Sequence, residues 1–357
     1  MQERTGSAII IAILMWGNAM SERKEINTVR YAGLDRLKTL CALLVICAHA
    51  PFAGGFGGYF EDICSLAVPC FFMVSGFFFP RALERGREGY RIGRIARMTG
   101  LSMLLYFVWM FVFYRWTGQD VHVITDYLFS FRGMVKFLFF NNVGFAHHLW
   151  YLSALLFVLI IVSLAWRWGL MRPLFLLCPF LLLAGIAMGR YADVVFHRFI
   201  SLEFSRNAYC LGLPFFCAGM RIAQNKEKIR CRLKKQWLLP LALLFGLLSI
   251  GEHLLLEHLG RNMEGDMFLS TAPGAICLFL YFCFFDEGSP RLSAIGRECS
   301  TGIYLIHVAV LDILYTILSK TPFVVAYEYI APVPIFLTSM LLVMLWNAFV
   351  KRRRASS

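Results

Sequence analysis

The residues able to do chemistry stand out because they interrupt apolar surroundings. The first group reads Asp35-Arg36-Leu37-Lys38-Thr39, followed by an apolar run that ends at His49. Eleven residues of α-helix make close to a whole number of turns, so Lys38 and His49 share a face about 16 Å apart. Asp35 falls near that face, whereas Arg36 points away. An ammonium at one end of a groove and a mid-membrane imidazole further along it suit two tasks, neutralising an anion and moving a proton near neutral pH. A core His bonded to a neighbouring helix, with Lys38 snorkelling as an anchor, is the bland alternative.

Three further groups have a similar character. Ser300, Tyr304 and His307 follow an i, i+4, i+7 spacing and so line one helix face with a second histidine. Arg91, Arg94 and Arg97 recur every third residue and form a short cationic ridge on a helix. Such a ridge suits the phosphates of a cytosolic ligand, or equally the headgroups of anionic lipids. His147-His148-Leu149-Trp150-Tyr151 opens another apolar run. Its histidines are able to orient a substrate hydroxyl, and its Trp and Tyr also fit an interfacial belt. No third ligand stands at metal spacing, so no metal is expected. Between these groups, Pro69 loosens a helix, and Ser75-Gly76 allows close backbone approach.

The elements that hold these residues are read from composition. The 357 residues are 59% hydrophobic and only 16% charged, with a mean hydropathy of +0.64. One soluble core could not hide that much apolar surface, so the bilayer is the main solvent. Apolar runs cover roughly 37–54, 63–80, 99–115, 149–166, 170–188, 208–222, 236–254, 267–285, 301–319 and 330–350. The fold class expected is therefore an all-α integral membrane bundle of about ten transmembrane helices.

Most of the 35 Lys and Arg fall in one alternate set of loops and in the two terminal segments. By the positive-inside rule both N and C termini are cytoplasmic. The net charge of +13 follows from this topology and calls for no nucleic acid. Most of the 11 Cys lie inside apolar runs, and no CxxC pair occurs, so neither a disulfide framework nor a structural zinc is expected. Residues 1–30 carry a short apolar stretch, Ala8 to Trp16, that is too short to span. An interfacial segment or an upstream extension fits it better than a signal peptide. Residues 116–148 form the longest outer loop, and Phe129 to Phe140 within it looks interfacial. A basic tail, 351–357, closes the chain.

Together these motifs resemble acyltransferase family 3, a family of membrane acyltransferases. The family opens with Asp-x-x-Arg, ten mostly apolar residues and a His, matched by Asp35, Lys38 and His49. Phe-Phe-x-x-Ser-Gly is matched by Phe71-Phe72-Met73-Val74-Ser75-Gly76, and Arg-x-x-Arg by Arg94 and Arg97. His148 to Leu152 and Gly296 to His307 resemble two further family stretches, the second with one extra residue before the Ser. Lys38 stands where the family usually has Arg, which keeps the charge but loses the planar fork.

Over residues 31–350 the resemblance implies acyl transfer, most often of acetyl from acetyl-CoA, to a hydroxyl of a cell-surface glycan or related envelope molecule. It implies His49 as base or acyl carrier, with Lys38 and Asp35 orienting donor and helix. Arg94, Arg97 and Arg91 would meet the donor phosphates, with Ser75, Tyr304 and His307 beside the acyl end. His148, Trp150 and Tyr151 would face the acceptor. The other classes are a transporter or flippase using His49 as a proton relay, and a sensory membrane module. No inverted repeat of broken helices supports transport, and no attached cytoplasmic domain supports sensing.

Overall fold

The computed structural model describes residues 30–122, 130–261 and 265–355, and every regular element among them is helical. The apolar stretch Ala8 to Trp16 and Phe129 lie outside the described residues. In chain order the first helices are α1 (Ala32–His49), α2 (Gly55–Cys64), α3 (Ala67–Phe77), α4 (Pro80–Glu84) and α5 (Glu88–Thr117). Next come α6 (Phe131–Phe140), α7 (Trp150–Arg167), α8 (Met171–Met188) and α9 (Ala192–Phe196). A π-helical turn, Ala208–Gly212, then leads into α10 (Leu213–Gln224) and α11 (Lys226–Arg232). The chain closes with α12 (Lys235–His258), α13 (Thr271–Phe284), α14 (Pro290–Glu298), α15 (Ser300–Leu318), α16 (Val324–Ile330) and α17 (Pro332–Ala355).

Each of the ten expected apolar runs overlaps a helix. Among the described residues, however, seven helical stretches are long and apolar enough to cross a membrane by themselves. The other three runs lie on α1, on the π-turn with α10, and on α13. Helix α1 carries Asp35, Arg36 and Lys38 near its start, and α13 has only 14 residues. These helices sit inside the bundle: Leu34, Leu37, Cys41, Phe216 and Phe279 are all fully buried. A helix walled by protein need not present an apolar surface to lipid, so charge and shortness are tolerated there.

The second apolar run is one broken segment, not a continuous helix. Pro69 cannot donate to the carbonyl of residue 65, and the chain turns at Ser65-Leu66 before α3 begins. Helix α3 then packs on α10 at unusually close range. A Cβ at Gly76 would meet the Phe216 carbonyl oxygen at 2.0 Å, and one at Gly219 would meet the Met73 oxygen at 2.1 Å. Each helix offers a glycine to the other's backbone, the small-residue packing that membrane helices favour. The Ser75-Gly76 pair thus gives the close approach that its sequence suggests.

Of the expected tail at 351–357, the described residues 351–355 continue the last helix: α17 runs through Lys351–Arg354 to Ala355. Lys351 Nζ lies 3.4 Å from Glu298. Asn347 Nδ2 donates to the Glu298 carbonyl at 3.1 Å, so α17 is fastened to α14 near its end. The Arg297 hydrogen bond, with Lys351 adding to it, holds the Glu298 carboxyl below its ordinary range despite partial burial.

Candidate active site

His49 is the last residue of α1. Ala50 leaves helical geometry (φ −137°, ψ 74°) ahead of Pro51, because the residue before a proline is pushed out of the α region. The expected continuation of this span to 54 therefore does not occur. The imidazole stands exposed at the helix end instead of being enclosed mid-helix. Its Nδ1 lies 2.8 Å from the Val45 carbonyl. A carbonyl only accepts, so Nδ1 carries the proton and Nε2 of the neutral ring presents a lone pair.

Beneath His49 lies the late histidine of the sequence. The His49 and His307 rings meet edge to face with centroids 5.0 Å apart, and His307 is fully buried. His307 Nδ1 donates to the Tyr304 carbonyl at 2.7 Å. His148 stands 5.6 Å from His307 by ring centroids and is only 3% exposed. The Tyr304 hydroxyl donates to the His148 carbonyl. Tyr151 packs edge-on to Tyr304 at 5.5 Å, and its hydroxyl lies 3.4 Å from Ser75 Oγ. Helices α1, α3, α7 and α15, with the 3-10 turn His147–Leu149 that precedes α7, thus bring His49, Ser75, His148, Tyr151, Tyr304 and His307 into one polar core.

This grouping differs from the one expected. His148 and Tyr151 do not form a separate outer rim, because they touch His307 and Tyr304 directly. Trp150 is 7% exposed and packs inward against Phe72, rather than lying in an interfacial belt.

Asp35 and Lys38 form an i, i+3 ion pair of 2.6 Å one helix length below His49. Helix α14 packs there so tightly that a Cβ at Gly296 would meet the Asp35 carbonyl oxygen at 1.7 Å. Arg36 does turn away from this face. It is buried and paired with Asp286, donating also to the Asp286 carbonyl at 2.7 Å.

Arg91, Arg94 and Arg97 occupy the first turns of α5, with Arg97 exposed and the other two half-buried. They lie apart from the histidines along the helix axis, Arg97 being nine residues, about 13 Å of rise, from Tyr106. The same helix nevertheless reaches the core through Tyr106. The Tyr106 ring lies 4.3 Å from that of His148, and its hydroxyl donates to the Leu305 carbonyl at 2.7 Å. One turn on, Trp109 Nε1 donates to Asp312 Oδ2 at 3.1 Å. Sequence reading missed Tyr106, Trp109 and Asp312. A signal existed: Thr99, Ser102, Tyr106 and Trp109 follow i, i+3, i+7, i+10 in an otherwise apolar run.

A second polar band, also missed, reaches towards the His49 end. Buried Asp62 accepts from His253 Nδ1 at 2.7 Å and pairs with Arg190 at 3.4 Å. Arg206 and Asp266 form a two-point pair, with the guanidinium 5.7 Å from the Trp150 ring. Burial works against the charge on Arg206, but the Asp266 carboxylate outweighs it and holds the guanidinium pKa above its usual value. This pair is near enough to act electrostatically on His49. Among the described residues no group of His, Cys, Asp and Glu is arranged to hold a metal ion.

An exposed imidazole on a buried histidine–tyrosine core, within a bundle of apolar helices long enough to cross a membrane, belongs to a multi-pass membrane protein. The sequence profile of the family 3 acyltransferase domain matches residues 31–354, and the chain belongs to this acyltransferase family. It is also 26% identical over 312 residues to an amino-acid racemase of Enterococcus faecalis. That match covers 80% of this chain but 40% of the relative's own length. No solved structure matches.

Proposed function

We propose that the chain transfers an acyl group, acetyl foremost, from acyl-CoA to a hydroxyl of a cell-surface glycan or lipid-linked envelope molecule. The setting is a bacterial plasma membrane, with about ten spans and both termini cytoplasmic. The observation that carries the reading is His49 itself, an accessible ring whose Nδ1–H is spent on Val45 and whose Nε2 is therefore a base. In the transfer the acceptor oxygen attacks the thioester carbonyl as His49 Nε2 takes its proton. The C–S bond breaks, and the proton finally reaches the CoA thiolate. An acyl group carried briefly on Nε2 gives the same overall balance. Arg94 and Arg97, with Arg91, meet the donor phosphates from the cytosol. Lys38, held by Asp35, adds positive charge where the donor enters.

A second reading is transport or sensing by the same helices. It is favoured by one observation: a domain like this one makes up two fifths of a protein named for racemisation, not acylation. Purified protein, labelled acetyl-CoA and an envelope extract separate the two. Transfer of label supports the acyltransferase, whereas absence of any CoA binding favours transport or sensing.

A further inference from the structure

The histidines behind His49 have an unusual hydrogen-bond state. His307 is fully buried with Nδ1–H committed to the Tyr304 carbonyl, and its Nε2 has no hydrogen-bond partner in the protein. His148 Nε2 is likewise buried without a partner. A leucine or phenylalanine would fill either place with no unpaired nitrogen. The three rings form a line from the exposed His49 through His307 to His148, with centroid steps of 5.0 and 5.6 Å. At that spacing a small ring tilt or one water joins neighbouring nitrogens. The other titratable groups facing this line are Tyr304 on the helix of His307, Tyr106 from α5, Tyr151 from α7 and the exposed His147 beside His148. Tyr106 and Tyr304 spend their hydroxyl protons on the carbonyls of Leu305 and His148. The Arg206–Asp266 pair acts on His49 from outside.

We propose that His307 and His148 receive the proton that His49 takes from the acceptor hydroxyl and hold it until the departing thiolate is protonated. They act through His49, not by gripping donor or acceptor. This rests on the acyl-transfer reading above. Atoms balance as before: the O–H and C–S bonds break, the ester C–O and the S–H bonds form, and the relay ends unchanged.

The test uses His307→Asn in the purified full chain. Asn keeps an N–H donor for the Tyr304 carbonyl and removes Nε2. With labelled acetyl-CoA, kcat is expected to fall about 10²–10³-fold with KM for acetyl-CoA unchanged. A raised KM with unchanged kcat would make His307 a donor-binding residue and overturn the relay, as would unchanged values of both. Free imidazole is expected to restore part of the rate in His307→Gly.

If neither variant can be purified, exchange of the histidine C2 hydrogens with deuterium, followed by mass spectrometry across pH, gives each ring's titration. Replacing His49 by Asn is expected to shift the titrations of His307 and His148 together. Titrations that do not move overturn the relay. Joint movement in a protein that transfers no acyl label upholds the shared proton and sinks the acyl-transfer reading.

Discussion

Tyr106 donates its hydroxyl to the carbonyl of Leu305 at 2.7 Å, tying the helix that bears the cationic ridge to the helix that bears His307. The bond is interhelical and buried, so its loss is felt in both stability and geometry. Tyr106→Phe is expected to cost about 0.6–1 kcal/mol of bundle stability. The loss should appear as a lowered thermal midpoint in detergent. Activity is expected to fall more than that figure implies, because the ring also packs on His148. A variant with wild-type activity would show that α5 needs no tie to α15.

The crossing of α3 and α10 makes a sharper stability prediction. Gly76→Ala and Gly219→Ala each force a methyl into a carbonyl oxygen of the facing helix. Overpacking of this kind costs about 1–3 kcal/mol. Gly93→Ala is the control, since nothing lies within 4 Å of its added Cβ. Thermal unfolding of the three variants is expected to separate the first two from the third.

Charge substitutions in the ridge should act on donor binding, not on chemistry. Arg94→Gln and Arg97→Gln are expected to raise KM for acetyl-CoA about tenfold each, with kcat little changed. Added salt should weaken donor binding to the wild type more than to the variants. Lys38→Arg, which keeps the charge beside Asp35, is expected to retain activity that Lys38→Gln loses. Steady-state kinetics with labelled donor check all of these.

Orientation has its own probe. Cys231 on α11 is the exposed cysteine among the described residues. A membrane-impermeant maleimide is expected to label it in inside-out vesicles and not in right-side-out ones. The opposite pattern would reverse the proposed topology.

Much of this was legible in the sequence, and for definite reasons. Asp35, Lys38 and His49 were legible because a polar residue in an apolar run is conspicuous and helical spacing gives its face. Ser75, Tyr304 and His307 were legible in the same way. Their contacts with His148 were not, because helix spacing says nothing about which helices meet. His148 therefore read as a loop-edge residue, although Tyr106 and Tyr304 hold it in the core. Asp62, Arg190 and His253 are far apart in the sequence and lie at or near the ends of three different runs, and only the fold makes them a cluster. The count of spans was read from apolarity, which exceeds what α1, α10 and α13 show singly because protein and not lipid surrounds them.

The proposed acyl transfer depends on His49 removing the acceptor's proton. His49→Asn keeps a donor for the Val45 carbonyl while deleting Nε2, so it tests the chemistry with the helix end preserved. Purified wild type and variant, given labelled acetyl-CoA and an envelope extract, are compared for label in the acceptor. Transfer by the wild type that falls at least about 10²-fold in the variant, with acetyl-CoA still bound, is the predicted result. Transfer that continues unchanged in His49→Asn would contradict it.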